Sequence, residues 1–165
     1  MIWGCFVGNK LSPIISIEGS IDGNKYTSIL HDNIIPYLDA LTADGITGII
    51  FQQDNARTHI CKKAQAFFKM ATAEHGFILM DDWPPYSPDM NLIENLWAHL
   101  KFELHRRYPD TVTLSGSPGY IRQRIAERVH EVWWAIGEDV LDQLVDSMPH
   151  RIEALIKARG WYTKY

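Results

Sequence analysis

The chain changes character within one stretch, residues 83–97, which reads WPPYSPDMNLIENLW. Before this stretch, short runs of β-branched and aromatic residues are separated by turn residues. After it, apolar residues recur only at helical spacing, a pattern that begins inside the stretch with Ile93, Leu96, Trp97, Leu100 and Leu104. We therefore predict one domain, with an α/β portion over residues 1–90 and an all-helical portion over residues 91–165.

The first residues predict a hairpin. Residues 2–7 and 13–18 are strand-like runs, and the turn sequence Gly8-Asn9-Lys10 lies between them. Two β-forming runs joined by such a turn are typical of antiparallel strands.

Helices and strands alternate in the rest of the α/β portion. Residues 25–41 have helical spacing that Pro36 interrupts, which predicts a break at the residue before it. Residues 47–53 form a nearly continuous apolar run, the pattern of a strand covered on both faces. Residues 62–72 read as a helix and residues 77–80 as another short buried strand.

Length and composition indicate an ordinary globular domain. With 165 residues and 46% apolar content, the chain can bury a core of its own. Its two cysteines are too few for a disulfide framework or a zinc ribbon, which fits a reduced cytosolic or nuclear compartment. No apolar run approaches the roughly 18 residues that a membrane span needs, so we predict no membrane partner.

The distribution of charge leaves two interpretations open. The net charge of −4 gives no electrostatic reason to expect a nucleic-acid partner. The basic residues gather in the C-terminal part, where they could form a phosphate-facing patch, although a solvated helix face is the more ordinary explanation. The arginines concerned are Arg106, Arg107, Arg122, Arg124 and Arg128.

Asp54 follows directly on the predicted buried strand and begins the sequence DNARTH. An aspartate at the end of such a strand projects its carboxylate beyond the sheet edge, where open α/β sheets place functional groups. Aspartate is also a preferred residue in turns and at helix N-termini. On its own, Asp54 is explained more simply by a turn or a helix cap than by a functional site.

Glu94 also has two explanations. Asn91 and Glu94 have the spacing of a capping box, in which the two residues satisfy each other's free backbone amides at the start of a helix. Glu94 also lies beside the apolar stripe rather than opposite it, which would direct its carboxylate along the sheet edge. Either interpretation fits the sequence.

Asp54 and Glu94 together suit a hard divalent cation. Mg²⁺ takes oxygen ligands and is usually held by one or two carboxylates plus phosphate oxygens of the substrate. Two ions roughly 4 Å apart can clamp the attacking and leaving oxygens of an in-line displacement. A two-ion site usually draws at least three carboxylates from different elements, and this sequence presents two convincing ones.

The other candidate ligands have simpler explanations. Asp81 and Asp82 are expected to be a solvated loop pair, and Asp89 is expected to fix a turn by accepting from backbone amides. His59 and Cys61 lie close in sequence, but no matching pair of soft ligands occurs elsewhere, so we discount zinc.

The stretch 83–97 closely resembles the signature of the Tc/mariner superfamily of DDE transposases. Three further segments agree with that family in the same order. Residues 3–6 resemble its early strand, residues 54–59 resemble the segment holding its second catalytic acid, and residues 147–152 resemble the end of its catalytic domain. The resemblance covers essentially the whole chain.

This resemblance implies a ribonuclease-H-like fold, a mixed sheet flanked by helices with the acids at one sheet edge. Asp54 would be the second catalytic carboxylate and Glu94 the third, and both would hold Mg²⁺ or Mn²⁺ for nicking and transfer of DNA strands. The implied partners are transposon-end DNA and a second copy of the chain, and the implied location is the nucleus. The basic residues assigned to DNA are Arg57, Lys101, Arg106, Arg107, Arg122, Arg124 and Arg128.

The chain departs from the family at its start. The first catalytic aspartate of the family lies on a strand just before the segment matched by Trp3-Gly4, so we expect that strand to be missing here and the DDE triad to be incomplete. The chain alone is then expected to cut DNA little or not at all. One alternative is a non-catalytic nucleic-acid-binding or interaction module retained from a transposon, and another is a ribonuclease-H-like nuclease acting on RNA.

Overall fold

The computed structural model describes residues 1–80, 82–161 and 163–164. Its six strands, each two residues long, are β1 (Ile2–Trp3), β2 (Phe6–Val7), β3 (Lys10–Leu11), β4 (Ile15–Ser16), β5 (Ile50–Phe51) and β6 (Ile78–Leu79). Its seven α-helices are α1 (Gly23–Ile29), α2 (Ile35–Ala43), α3 (Lys62–His75), α4 (Leu92–Arg107), α5 (Pro118–Trp134), α6 (Glu138–Asp146) and α7 (Met148–Lys157). Among the described residues, no helix is long and apolar enough to cross a membrane.

The first four strands form the predicted hairpin. β1 pairs antiparallel with β4, and β2 pairs antiparallel with β3 around the turn at Gly8 and Asn9. The second arm begins at Lys10, earlier than predicted, and the ladder is interrupted in the middle. Ser12 bridges the interruption, because its backbone N–H donates to the Cys5 carbonyl at 2.9 Å and its Oγ accepts from the Cys5 N–H at 2.8 Å.

The helix that follows the hairpin is interrupted near the predicted position. Asp22 begins α1 by accepting a hydrogen bond from the Lys25 N–H through its side chain. The chain then passes through a π-helical segment, Leu30–Ile34, and resumes as α2 with Pro36 in its first turn. Because proline has no N–H to donate to the preceding turn, the regular α-helical bonding fails just before it.

β5 and β6 are parallel neighbours with α3 as the crossover helix. Ile49 and Phe51 are buried against α3, but Ile50 is 55% exposed and Ile78 on β6 is 58% exposed. The prediction that this strand is covered on both faces is therefore wrong, because only one face is packed against a helix.

The strands lie between two helical layers. Side chains of Trp3, Cys5 and Val7 pack against the core formed with α1, α2 and α3. The alternate residues Ile2 and Phe6 pack against the core formed by α4, α5 and α6. Alternation along a strand sends successive side chains to opposite faces, so the hairpin separates the two cores. The mixed helix and strand arrangement confirms the predicted α/β fold with a helical C-terminal part.

A cleft separates the hairpin from β5. The cavity between them has a volume of about 510 Å³ and is lined by residues 2–8 on one side and 46–54 on the other. In the described part of the chain, β1 and β2 pair only within the hairpin and β5 pairs only with β6. The strands therefore form separate pairs instead of one continuous sheet.

Candidate functional site

Asp54 lies in the loop between β5 and α3, at the end of the strand. Its Oδ1 accepts from the Ala56 N–H at 3.0 Å and lies 2.7 Å from His59 Nδ1. The side chain is 50% exposed, and its second oxygen accepts no hydrogen bond from a described residue. The predicted turn is thus present. The predicted helix cap is not, because the N-cap residue of α3 is Cys61.

His59 is a neighbour of Asp54 that the sequence did not indicate as such. Its ring lies against the Tyr26 ring, with centroids 4.6 Å apart, and the Tyr26 hydroxyl donates to Gln53 Oε1 at 2.5 Å. Burial raises the pKa of Tyr26 well above its ordinary value, so the phenol remains a hydrogen-bond donor near neutral pH. The His59 and Tyr26 rings thereby connect Asp54 to the core formed with α1, α2 and α3.

Glu94 lies in the first turn of α4, after the N-cap residue Asn91. The Asn91 side chain makes no capping bond and instead accepts from Gln52 Nε2 at 3.3 Å through its Oδ1. No described residue donates a hydrogen bond to the Glu94 carboxylate. The capping-box interpretation is therefore wrong, because Asn91 turns toward β5 and leaves Glu94 free to accept another partner.

Asp54 and Glu94 line the same two cavities, so the structure brings the two predicted carboxylates to one site. The first cavity is the cleft beside the hairpin. The second, of about 430 Å³, lies between the Asp54 loop and residues 83–88. Asn55 joins these two loops, because its Nδ2 donates to the Trp83 carbonyl at 2.7 Å.

The other acids do not join this pair. Asp89 is buried, and its Oδ2 accepts from Thr163 Oγ1 at 2.7 Å rather than from backbone amides, so its predicted role in the turn is wrong. Asp82 lies in the loop with a positive φ of 59°, and Asp81 lies outside the described residues. Across residues 1–80, 82–161 and 163–164, no three His, Cys, Asp or Glu side chains gather into a metal-binding group.

The chemistry of the donors suits a hard cation. Two carboxylates from different elements are what Mg²⁺ takes from a protein when substrate and water supply its remaining ligands. Asp54 retains an oxygen with no donor in the described part of the chain, and both Glu94 oxygens are in that state. Asp54 and Glu94 are therefore the residues that would hold such an ion.

Six of the seven basic residues predicted to face DNA fall into two groups. Arg106 and Arg107 pair with Glu103, at 2.7 and 3.3 Å, and Arg124 pairs with Glu127 at 2.9 Å. The two arginines hold the pKa of the Glu103 carboxyl at about 2, well below its usual value. Three further basic residues are exposed and form no ion pair within the described residues: Arg57, Lys101 and Arg122.

Arg128 is a correction to the predicted patch. Its side chain is 9% exposed, and its guanidinium donates to Asp110 Oδ2 at 2.8 Å and to Thr111 Oγ1 at 2.9 Å. The same group lies over the Tyr108 ring, 4.8 Å from its centroid. Arg128 therefore connects α5 to the residues that directly follow α4. Its guanidinium is not available to bind a phosphate.

Known proteins resemble this chain over its whole length. A family model described as DDE superfamily endonuclease matches residues 3–115. The Tc1 transposase of Caenorhabditis elegans is 35% identical over 165 residues, and the Tcb2 transposase of Caenorhabditis briggsae is 34% identical over the same length. Each alignment covers 100% of this chain and 54% of the relative, so the chain spans about half the length of these curated relatives.

Solved structures confirm the fold. The catalytic domain of Mos1 transposase, solved with raltegravir and Mg, superposes with a TM-score of 0.70 at 14% identity, covering 99% of this chain and 83% of that one. A crystal structure of the Mos1 mariner transposase catalytic domain gives a TM-score of 0.69 at 15% identity. The mixed fold and the family match agree, and the chain belongs to the DDE superfamily endonuclease family, as a Tc/mariner transposase-type domain.

Proposed function

We propose that this chain is the catalytic part of a Tc/mariner-type DNA transposase and that Asp54 and Glu94 hold its catalytic divalent cation, Mg²⁺ or Mn²⁺. The observation that carries the proposal is that Asp54, in the loop after β5, and Glu94, in the first turn of α4, line the same two cavities. The names of the relatives, which are transposases, support DNA as the substrate. Transposon-end DNA as the partner, pairing with a second copy and a nuclear location are parts of the same proposal.

The roles of the protein groups follow from their surroundings. A bound cation would supply charge stabilisation for the phosphate oxygens during strand cleavage. Ala56 and His59 hold one oxygen of Asp54 and leave the other for the cation. Glu94 is presented at the start of α4 without a competing donor among the described residues.

We further propose that the 165-residue chain by itself is nearly inactive. Two carboxylates are fewer than a two-ion site usually needs, and the described residues supply no third one beside Asp54 and Glu94. The cleft between the hairpin and β5 supports this proposal, because the described strands on its two sides do not pair with each other and bring no further carboxylate to Asp54 and Glu94.

A supercoiled-plasmid nicking assay in Mg²⁺ or Mn²⁺ tests the proposed inactivity. We expect nicking no greater than that of the Asp54→Ala and Glu94→Ala variants, which serve as controls for contaminating nucleases. Strong nicking by the wild-type chain that disappears in both variants would show that two carboxylates suffice.

The second candidate is a non-catalytic nucleic-acid-binding module, favoured by the exposed basic residues Arg57, Lys101 and Arg122. It predicts DNA binding that weakens with salt and does not depend on Asp54 or on a divalent cation. Equal DNA affinity of the wild-type chain and Asp54→Asn, with and without Mn²⁺, would favour this candidate. A dependence of DNA affinity on both would favour the catalytic proposal.

A further inference from the structure

The position of Glu94 depends on the turn that precedes it. No described residue holds its carboxylate, so the backbone that leads into α4 determines where the side chain lies. That backbone is the turn at residues 88–91, in which the Asn91 N–H donates to the Pro88 carbonyl at 3.1 Å. The Glu94 N–H in turn donates to the Asn91 carbonyl at 3.0 Å. The contacts that hold residues 88–91 therefore also hold Glu94.

Arg151 on α7 makes the most buried of these contacts. Its side chain reaches the turn from the C-terminal part of the chain, and the residue is only 3% exposed. Its Nη1 donates to the Asp89 backbone carbonyl at 2.5 Å, and its Nε donates to Ser147 Oγ at 2.8 Å. A buried guanidinium is costly unless its donors are satisfied, so this arrangement strongly favours one position of the turn.

A second C-terminal contact fixes the same residue. The Asp89 carboxylate is buried and accepts from Thr163 Oγ1 at 2.7 Å. Both the backbone and the side chain of Asp89 are thus bonded to residues that follow α6. Two contacts on one residue restrain both the position and the rotation of the turn.

The opposite side of the turn contacts β5. Gln52 Nε2 lies 3.3 Å from Asn91 Oδ1, and Gln52 is two residues before Asp54. The turn at residues 88–91 is therefore held between the segment that leads from β5 to Asp54 and α7, which carries Arg151. Loss of the Arg151 contact would leave the turn with the Gln52 contact on one side and the Thr163 contact on the other.

We propose that Arg151 is a positioning residue that sets the location of Glu94 relative to Asp54, although it contacts neither carboxylate in the described structure. This inference rests on the proposed metal site. It predicts that the metal affinity of the Asp54–Glu94 pair depends on a buried arginine on α7. It also predicts that the turn at residues 88–91 becomes mobile when Arg151 is shortened or neutralised.

The test compares two buried arginines by NMR. Arg151→Met and Arg128→Met each remove a buried guanidinium, but Arg128 fastens the far end of α4. Mn²⁺ is titrated into each protein, and the paramagnetic broadening of amide signals near Asp54 and Glu94 gives an apparent Kd. We expect the Kd to rise roughly ten-fold in Arg151→Met, as for other residues that orient metal ligands, and to stay within about two-fold of wild type in Arg128→Met.

Arg151→Lys and Ser147→Ala keep the test decisive if Arg151→Met does not fold. Lysine retains the charge and N–H donors but not the planar fork of the guanidinium, so Arg151→Lys should keep part of the Mn²⁺ affinity that Arg151→Met loses. A role in stability alone predicts no relation between the Kd for Mn²⁺ and the substitution. Unchanged Mn²⁺ affinity in every folded variant would overturn the inference.

Hydrogen exchange separates this inference from the proposed function. If the wild-type chain shows no Mn²⁺ broadening near Asp54 and Glu94, the proposed metal site fails. The Glu94 amide still reports the turn, and we expect it to exchange at least ten-fold faster in Arg151→Met than in Arg128→Met at equal global stability. Equal exchange of that amide in the two variants would overturn the positioning role.

Discussion

Asp54 and Glu94 lie at the same two cavities, but neighbouring residues from different elements determine how each carboxylate is held. Their placement follows from local patterns, a strand end and a helix start, and the structure places both at the same cavities. Their supports are side-chain hydrogen bonds between elements, such as Gln52 to Asn91, which leave no periodic signal. The capping-box spacing at Asn91 was accordingly misleading, because a long-range partner competes with the local one. A polar residue at the end of an apolar strand, as at Gln52, was the one available hint.

Removal of the Tyr26 hydroxyl should weaken the support of Asp54. Tyr26→Phe leaves the Gln53 side-chain oxygen without its buried donor, so we expect the free energy of unfolding to fall by about 1–2 kcal/mol. Because burial raises the pKa of Tyr26, the hydroxyl stays protonated, and the loss should be equal at pH 6 and pH 9. Urea denaturation at both pH values measures it.

Tyr37→Phe is the matched control for this change. Tyr37 is half-buried, but its hydroxyl donates to the Lys10 carbonyl at 2.7 Å in a hydrogen bond at the surface, where water can replace it. We expect a loss of less than about 0.5 kcal/mol there. If Tyr37→Phe lowered the free energy of unfolding as much as Tyr26→Phe, the buried hydrogen bond from Tyr26 to Gln53 would stabilise the protein no more than the bond from Tyr37 to Lys10.

At the scale of elements, the helices were more predictable than the strands. The apolar stripes of α4 and α5 extend over several turns, so their period is unambiguous. Each strand is two residues long, which is too short for alternation to define its bounds. The interruption of the hairpin at Ser12 had no sequence signal, since a small polar residue between two strand-like runs reads as part of the turn.

Ser12 should be essential to the hairpin. The residue is fully buried, and its Oγ accepts from the Cys5 N–H and donates to the Pro13 carbonyl. Ser12→Ala leaves the Cys5 N–H without a partner, so we expect a loss of about 1–3 kcal/mol in the free energy of unfolding. Ser28→Ala, at an exposed position of α1, should change it by less than about 0.5 kcal/mol. A near-neutral Ser12→Ala would mean that water replaces the hydroxyl.

At the scale of the whole molecule, the placement of the strands between two helical layers was predictable and the cleft was not. Alternation in the hairpin and the helical stripes indicate a sheet between helices. Whether the hairpin and β5 pair with each other depends on the relative placement of distant segments, which patterns within each segment cannot convey. The half-exposed Ile50 has a different cause, because its side chain lies on the face of β5 that no helix covers.

Amide exchange along β5 tests whether the sheet is divided. The Ile78 and Met80 N–H groups donate to the Ile49 and Phe51 carbonyls at 2.9 Å, so Ile49, just before β5, and Phe51 direct their backbone groups toward β6. The Ile50 N–H, between them, points to the opposite edge and into the cleft. We expect its amide to exchange at least about ten-fold faster than that of Phe51, after correction for intrinsic rates, in NMR measurements under native conditions. The Ile78 amide serves as the protected control on β6. Equal protection of Ile50 and Phe51 would mean that β5 is bonded on both edges and that the cleft is closed in solution.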